Sequence, residues 1–322
     1  MDHTLPTLAA EVAIRPLREI ELDEAERIFR LAFGTFLGLP DPSAFMSGAA
    51  LLHARWRADA SAALAADLHG TLIGSNYATN WGSVGFFGPL TVRPELWDRG
   101  IGQRLLDDGL RMFRDWGTPH VGLFTFPHSP KHIGLYQKFG FWPRSLTAVM
   151  RRRVQERASG GGAALLSEVD ATTHDSLIDA CLEAADAVQP GLDLRHEIRA
   201  ARDNGSADTV LLQEGSRVVG FAVCHCGPCS EAESGTCYVK FGLCSPGPQA
   251  QARFTRLLDG CDRFARERGA EWLSAGANAA RRRAYGTMLD GGFRPQIFGI
   301  AMHRHDDPGY NREDAWVVDD WR

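Results

Sequence analysis

Apolar positions along the chain alternate between two periods, and the alternation predicts a repeating order of strands and helices. Residues 11–17 read as a strand. From residue 22 to 33 the apolar positions Ala25, Ile28, Phe29, Ala32 and Phe33 recur at helical spacing and predict an amphipathic helix. A second helix is expected over residues 43–57. Three strands follow at residues 60–68, 72–80 and 84–92, with His69-Gly70 as a hairpin turn between the first two. A helix over residues 97–116 is closed by Gly117, a residue suited to the left-handed turn that ends helices. Residues 120–126 predict a strand, 129–139 a helix and 141–152 a last strand. The pattern is α/β, with strands and helices arranged as in an α+β mixed sheet.

The second half repeats this scheme. A shift of 152 residues places Pro94 on Pro246, Gly117 on Gly269, Gly140-Phe141 on Gly292-Phe293 and Pro143 on Pro295. The same shift aligns Arg104, Leu105, Leu106 and Asp107 with Arg256, Leu257, Leu258 and Asp259. Identities that persist through two helices and two turns under one offset point to a duplicated domain. Between the copies, residues 155–164 (QERASGGGAA) form a polar, glycine-rich linker. The expected organisation is a first domain at 8–154, the linker at 155–164, a second domain at 165–310 and a tail at 311–322. Trp316 and Trp321 make that tail too aromatic for a free end, so it is expected to dock on a surface.

Composition narrows the function classes. Apolar residues make up 44% and charged residues 23%, as in globular enzymes rather than disordered chains. A formal net charge of −5 gives no general attraction for nucleic acid or anionic membranes, and the runs Arg151–Arg153 and Arg281–Arg283 are short. No secretory leader or membrane-length apolar run is read, so the expectation is a cytoplasmic protein acting as monomer or homodimer. The seven cysteines are odd in number and absent from the first 180 residues, which fits reduced thiols. Cys224, His225, Cys226 and Cys229, with Cys237 and Cys244, have ligand types suited to zinc. Strand alternation, however, puts Cys224 and Cys226 on one face and His225 on the other, so buried thiols and no metal are expected.

The segment that carries chemistry lies in the first half. Leu90-Thr91-Val92-Arg93-Pro94 ends a strand, and Arg99-Gly100-Ile101-Gly102-Gln103-Arg104 opens a helix, followed by Leu105-Leu106. Glycines remove Cβ atoms where backbone must approach a ligand, and the free N–H groups of a first helical turn favour a diphosphate. A dinucleotide fingerprint is excluded because Leu105 stands where its third glycine belongs, and no Gly-Lys-Ser/Thr makes a Walker loop. These residues resemble the pyrophosphate motif of the GNAT superfamily of acyl-CoA N-acyltransferases, with Trp97 in place of its usual Gln or Arg. A second stretch, Ser129 to Phe141, is similar to another motif of that family through Leu135-Tyr136, Lys138 and Gly140-Phe141.

The resemblance implies two tandem GNAT-like domains and acetyl-CoA as cosubstrate, with direct transfer of its acetyl group to a primary amine of a small-molecule or amino-acid-like acceptor. It implies cofactor contacts at Leu90, Thr91, Val92, Arg99, Gly100, Ile101, Gly102, Gln103, Arg104 and Ser129, an oxyanion donor among the backbone N–H groups of residues 90–92, and Tyr136 as general acid. Residues 83–92 contain no carboxylate, which leaves the base open among His120, His128, His132 and a residue of the second half. The acceptor wall is expected from aromatics among Phe33, Phe36, Phe45, Trp56, Tyr77, Trp81, Phe86 and Phe87, with Asn76, and above all from the loop at 34–40. In the second copy Gly100 and Gly102 become Ala252 and Phe254, and Tyr136 becomes Met288. That copy is therefore read as degenerate. The alternative reading is a non-catalytic acyl-CoA sensor.

Overall fold

The computed structural model describes residues 8–155, 162–203 and 205–322. The first half contributes strands β1 (Val12–Pro16), β2 (Ala63–Leu68), β3 (Thr71–Trp81), β4 (Val84–Val92), β5 (His120–Thr125) and β6 (Phe141–Arg153). The second contributes β7 (Ala164–Leu165), β8 (Ala207–Glu214), β9 (Arg217–Cys226), β10 (Thr236–Cys244), β11 (Trp272–Asn278), β12 (Arg294–Arg304) and β13 (Trp316–Val318). All of them join one mixed sheet in the order β1-β2-β3-β4-β5-β12-β6-β11-β10-β9-β8-β7, with β13 on β10. The helices are α1 (Leu8–Glu11), α2 (Leu22–Phe36), α3 (Leu51–Ala58), α4 (Ile101–Asp115) and α5 (Pro130–Lys138), then α6 (His174–Asp186), α7 (Arg195–Asp203), α8 (Ala250–Glu267) and α9 (Arg282–Asp290). Among the described residues no helix is long and apolar enough to cross a membrane.

The centre of the sheet joins the halves by exchange. β12 lies between β5 and β6, and β6 lies between β12 and β11. Each half thus holds the other's last long strand beside its own. Thr147 of β6 faces Gly299 of β12, and these two positions are related by the same 152-residue shift. A pseudo-twofold axis passes between them. The shift also carries the Val84/His120 pair onto Thr236/Trp272, and Thr125/Ile300 onto Ala277/Ala148. The repeat read as letters is therefore a repeat of hydrogen-bond register, and the fold is two tandem copies of one α/β unit sharing a sheet.

Several expected elements differ at their ends. The helix expected over 43–57 is reduced to a short turn at Pro42–Ala44 and to α3. Met46 and Gly48 take positive φ, 49° and 86°. Arg30 explains the break: its guanidinium donates to the carbonyls of Phe45 (2.9 Å), Met46 (2.8 Å) and Ala49 (2.5 Å), which a continuing helix would need for itself. β2 starts at Ala63, after a short turn at Ala60–Ala62. α4 starts at Ile101 because Asp98 (φ 63°) and Gly100 (φ 79°) hold the preceding loop in left-handed turns. Of the linker, residues 156–161 lie outside the described residues. The tail packs inward, with Trp316 and Trp321 each only 5% exposed.

Cys224, Cys226, Cys237, Cys244 and Cys261 are buried in the apolar core between the second half's sheet and α8, whereas His225 faces the opposite side beside Tyr238 and Glu231. The halves are also tied by charge. Arg152 of β6 donates to the buried carboxylate of Asp262 on α8 and to the carbonyl of Gly291 (2.7 Å). Removing one member of such a pair strands the other charge. Arg152→Ala is expected to lower unfolding free energy by about 3–5 kcal/mol, read by urea denaturation, and the intact chain to unfold in one transition.

Candidate active site

β4 and β5 run parallel and paired only over Val84–Phe86 and His120–Gly122. Beyond Phe86 they diverge, since β5 continues along β12 while β4 continues along β3. A bulge at Gly88-Pro89 in the β3–β4 ladder, with Gly88 at φ 141°, bends β4 at the point of divergence. On the far side Arg93 N–H donates to Ile73 O (2.9 Å), so Arg93 and Thr91 exchange bonds with β3. By strand alternation the peptide groups of Leu90 and Val92 point into the gap. The Trp97 indole takes one of them, donating to Val92 O (2.8 Å). The N–H groups of Leu90 and Val92 and the carbonyl of Leu90 face the cleft.

The gap opens into a cavity of about 730 Å³. The first turn of α4 forms one end. Arg99, Gly100, Ile101, Gly102 and Gln103 all line it, and the N–H groups of Ile101, Gly102 and Gln103 precede the first intrahelical acceptor. A Cβ on Gly102 would come no nearer than 3.6 Å to Leu90, so the glycine leaves open space rather than relieving a clash. Lys131 reaches across to pair with Asp98 and lies 5.9 Å from the Trp97 ring, which closes this end with basic and aromatic groups. A helix N-terminus, backbone donors and a nearby ammonium make a place for a diphosphate.

Tyr136 projects from α5 into the middle of the same cavity, 5.7 Å from the Phe87 ring. Burial pushes its hydroxyl up to about 12, so it remains a proton donor at neutral pH. His132, one turn earlier, also lines the cavity and packs 4.9 Å from Phe36. Burial first, and then the Lys131 charge, lowers its pKa, which keeps the ring neutral near pH 7.

Two expected cofactor contacts have other work. Ser129 does not line the cavity; its Oγ caps α5 by accepting from His132 N–H (3.4 Å). Arg104 points away, its guanidinium on the carbonyl of Ala9 and its own N–H on Gly100 O. Thr91 lines the cavity, yet its backbone belongs to the β3 ladder. Of the three histidines, His120 is buried beside Asp307, His303 and Trp321, and His128 stacks on Phe36 (5.6 Å); neither lines the cavity.

Phe33, Phe36, Leu39, Phe45 and Phe87 line the apolar wall, with Phe33 and Phe45 stacked at 5.3 Å. Trp56, Asn76, Tyr77, Trp81 and Phe86 do not. Trp56 donates to Leu17 O (3.2 Å), Asn76 to Leu105 O (3.3 Å) and Trp81 to Glu197 (3.0 Å). The second half supplies what the sequence did not place: Glu233, Ile297, Trp321 and Arg322 also line the cavity. Behind them the buried Arg55 holds Gly88 O (2.5 Å), Glu231 (3.1 Å) and the carbonyl of Arg322, so the bend in β4 is tied to the tail.

The family model described as "Acetyltransferase (GNAT) family" matches residues 23–141. No curated protein matches the chain by sequence. A putative acetyltransferase from Pyrococcus horikoshii is similar over 95% of this chain and 93% of its own, at 16% identity and a TM-score of 0.64. A GCN5-related N-acetyltransferase from Sphaerobacter thermophilus is similar over 95% and 98%, at 15% identity and a TM-score of 0.58. The Saccharomyces cerevisiae N-myristoyltransferase, solved with myristoyl-CoA, is similar over 98% and 86%, at 10% identity and a TM-score of 0.61. At these identities the likeness is one of fold, and it extends over both halves. Residues 23–141 are a domain of the acetyltransferase (GNAT) family, and they contain the divergent strands, the open helix N-terminus and Tyr136.

Proposed function

We propose that the first half transfers an acetyl group from acetyl-CoA to a primary amine on a small-molecule or amino-acid-like acceptor. The observation that carries this reading is the convergence on one cavity of three things: the outward-facing peptide groups of Leu90 and Val92, the bare first turn of α4, and the protonated Tyr136. The first turn of α4 takes the diphosphate. The edge of β4 offers N–H and C=O groups to the amides of the pantetheine arm, as a strand edge does to a peptide.

Chemistry then needs three groups. The neutral amine attacks the thioester carbonyl carbon, forming a C–N bond and an oxyanion that a β4 N–H stabilises at the bend after Gly88. As the intermediate collapses the C–S bond breaks, and Tyr136 Oη gives the leaving thiolate its proton. The amine's proton passes to His132 or to water it holds, His132 being the one neutral imidazole at the cavity wall among the three considered. Apolar walls from α2 and the following loop favour an acceptor whose amine sits on an apolar body.

Gly102→Trp fills the diphosphate cradle without a backbone clash and is expected to abolish acetyl-CoA binding by calorimetry. Ala252→Trp, at the exposed counterpart of the neighbouring Gly100, leaves binding unchanged; equal losses at both would reverse the roles of the halves. Tyr136→Phe is expected to lower kcat by about 100-fold or more with little change in acetyl-CoA affinity, and an unchanged kcat removes Tyr136 from the reaction. His132 must be unprotonated to accept and Tyr136 protonated to donate. With a weakly basic acceptor amine, kcat/KM therefore falls only as pH drops below His132's depressed pKa or rises toward about 12. A loss centred between pH 7 and 9 would contradict both roles.

A further inference from the structure

The second half repeats the architecture of the cleft and does not leave it open. Under the 152-residue shift Gly242 and Cys244 of β10 stand where Leu90 and Val92 stand on β4. Ser245 N–H donates to Val219 O (2.9 Å) in the register of the β9–β10 ladder, so the peptide groups of Gly242 and Cys244 point outward in the same way. That edge is taken. β13 pairs with it antiparallel, Val318 opposite Gly242 and Trp316 opposite Cys244.

Three more positions of the cleft are turned to the same segment. Gly102 becomes Phe254, which is fully buried with its ring 5.4 Å from Trp316. Ser129 becomes Arg281, whose buried guanidinium donates to Asn311 (2.8 Å), the carbonyl of Val317 (3.1 Å) and Asp319 (2.5 Å). Phe124 becomes Gly276, where a Cβ would lie 2.6 Å from Asp319 O and 2.3 Å from Asp320 Cβ. Strand edge, helix start, α9 cap and the Gly276 position on β11 thus all hold residues 316–320. In the first half the same four places face the cavity or lie beside it.

From there the tail crosses into the first half. Trp321 lies over Gly122 of β5, where a Cβ would come within 2.3 Å of its ring. Its indole donates to Tyr310 Oη (2.9 Å) and its ring stacks on Phe86 at 6.0 Å. Asp320, accepting from Tyr238 Oη (3.0 Å), and Arg322, 4.2 Å over the Tyr238 ring, fix the segment on either side. One edge of Trp321 reaches the cavity.

We propose that residues 316–320 are a permanent internal occupant of the second half's cleft, and that this anchorage sets Trp321 as the wall limiting acceptor size in the first half. The first clause stands on geometry alone; the second rests on the acetyltransferase reading. Trp321 is a positioning and size-selecting residue, outside the chemistry.

Calorimetry of the full chain with acetyl-CoA is expected to give one site per chain, whereas two sites would overturn the occupied cleft. CoA release is then followed for a series of primary amines of rising bulk. Trp321→Ala is expected to raise kcat/KM for bulky amines relative to small ones by about 10-fold or more, mainly through KM, since pocket fit discriminates on that scale. Gly276→Val, which displaces the tail from a distance at Asp319, shifts the profile in the same direction. Trp321→Phe, retaining a ring, keeps the fold and gives a smaller shift. A uniform loss across the series, or an unchanged profile in variants that still bind acetyl-CoA, overturns the size-selecting role. Wild-type protein that binds no acetyl-CoA instead removes the acetyltransferase reading, and the second clause with it.

Discussion

A strand edge shut away from bulk water must find partners for its peptide groups, and this chain meets that demand twice. Both β4 and β10 separate from the parallel strand beside them, and both present outward-facing N–H and C=O groups at matching positions. On β10 the partner is covalently attached: β13 lies along Gly242–Cys244. On β4 the outward-facing groups of Leu90 and Val92 have, among the described residues, only the Trp97 indole. One cleft is satisfied from within, and under the proposed function the other takes the pantetheine arm, which resembles a short extended peptide. The first turn of α4, Tyr136 on α5 and the apolar wall from α2 are arranged around that second edge.

The exchange of β6 and β12 makes the two copies one body. Neither half closes its sheet alone, because β5 and β11 each pair with a strand from the other copy. The second copy is therefore required by the first half's sheet, whatever its own cleft holds. It supplies β12 behind the cavity, Glu231 against Arg55 at the bend in β4, and Trp321 and Arg322 at the cavity wall. The repeated unit thus gives the first half part of its sheet and part of its cavity wall.

Much of this was legible in the sequence because local rules dominate where it was read. The pairing of glycines with a helix start after Pro94, the spacing to Leu135-Tyr136, and the ungapped 152-residue repeat all survive into geometry, the repeat as register about Thr147 and Gly299. What was not legible depended on distant side chains. Arg30 breaks the helix expected near residue 46 by taking its carbonyls, and no periodicity contains that information. Ser129 matched a cofactor position but serves as a cap, while its counterpart Arg281 clamps the tail. The tail was recognisable as too aromatic to be free, yet its destination required knowing that Phe254, Arg281 and Gly276 line one groove. His120 looked like a candidate base and is instead packed in the wall behind Trp321.

Amide hydrogen exchange resolved to single residues tests the central claim most directly. The N–H groups of Leu90 and Val92 should exchange quickly in the free protein and slow when acetyl-CoA is added, while those of Gly242 and Cys244 are slow from the start and unaffected. Protection of Gly242 and Cys244 that appears only with acetyl-CoA, or an unchanged rate at Leu90 and Val92, would contradict the account.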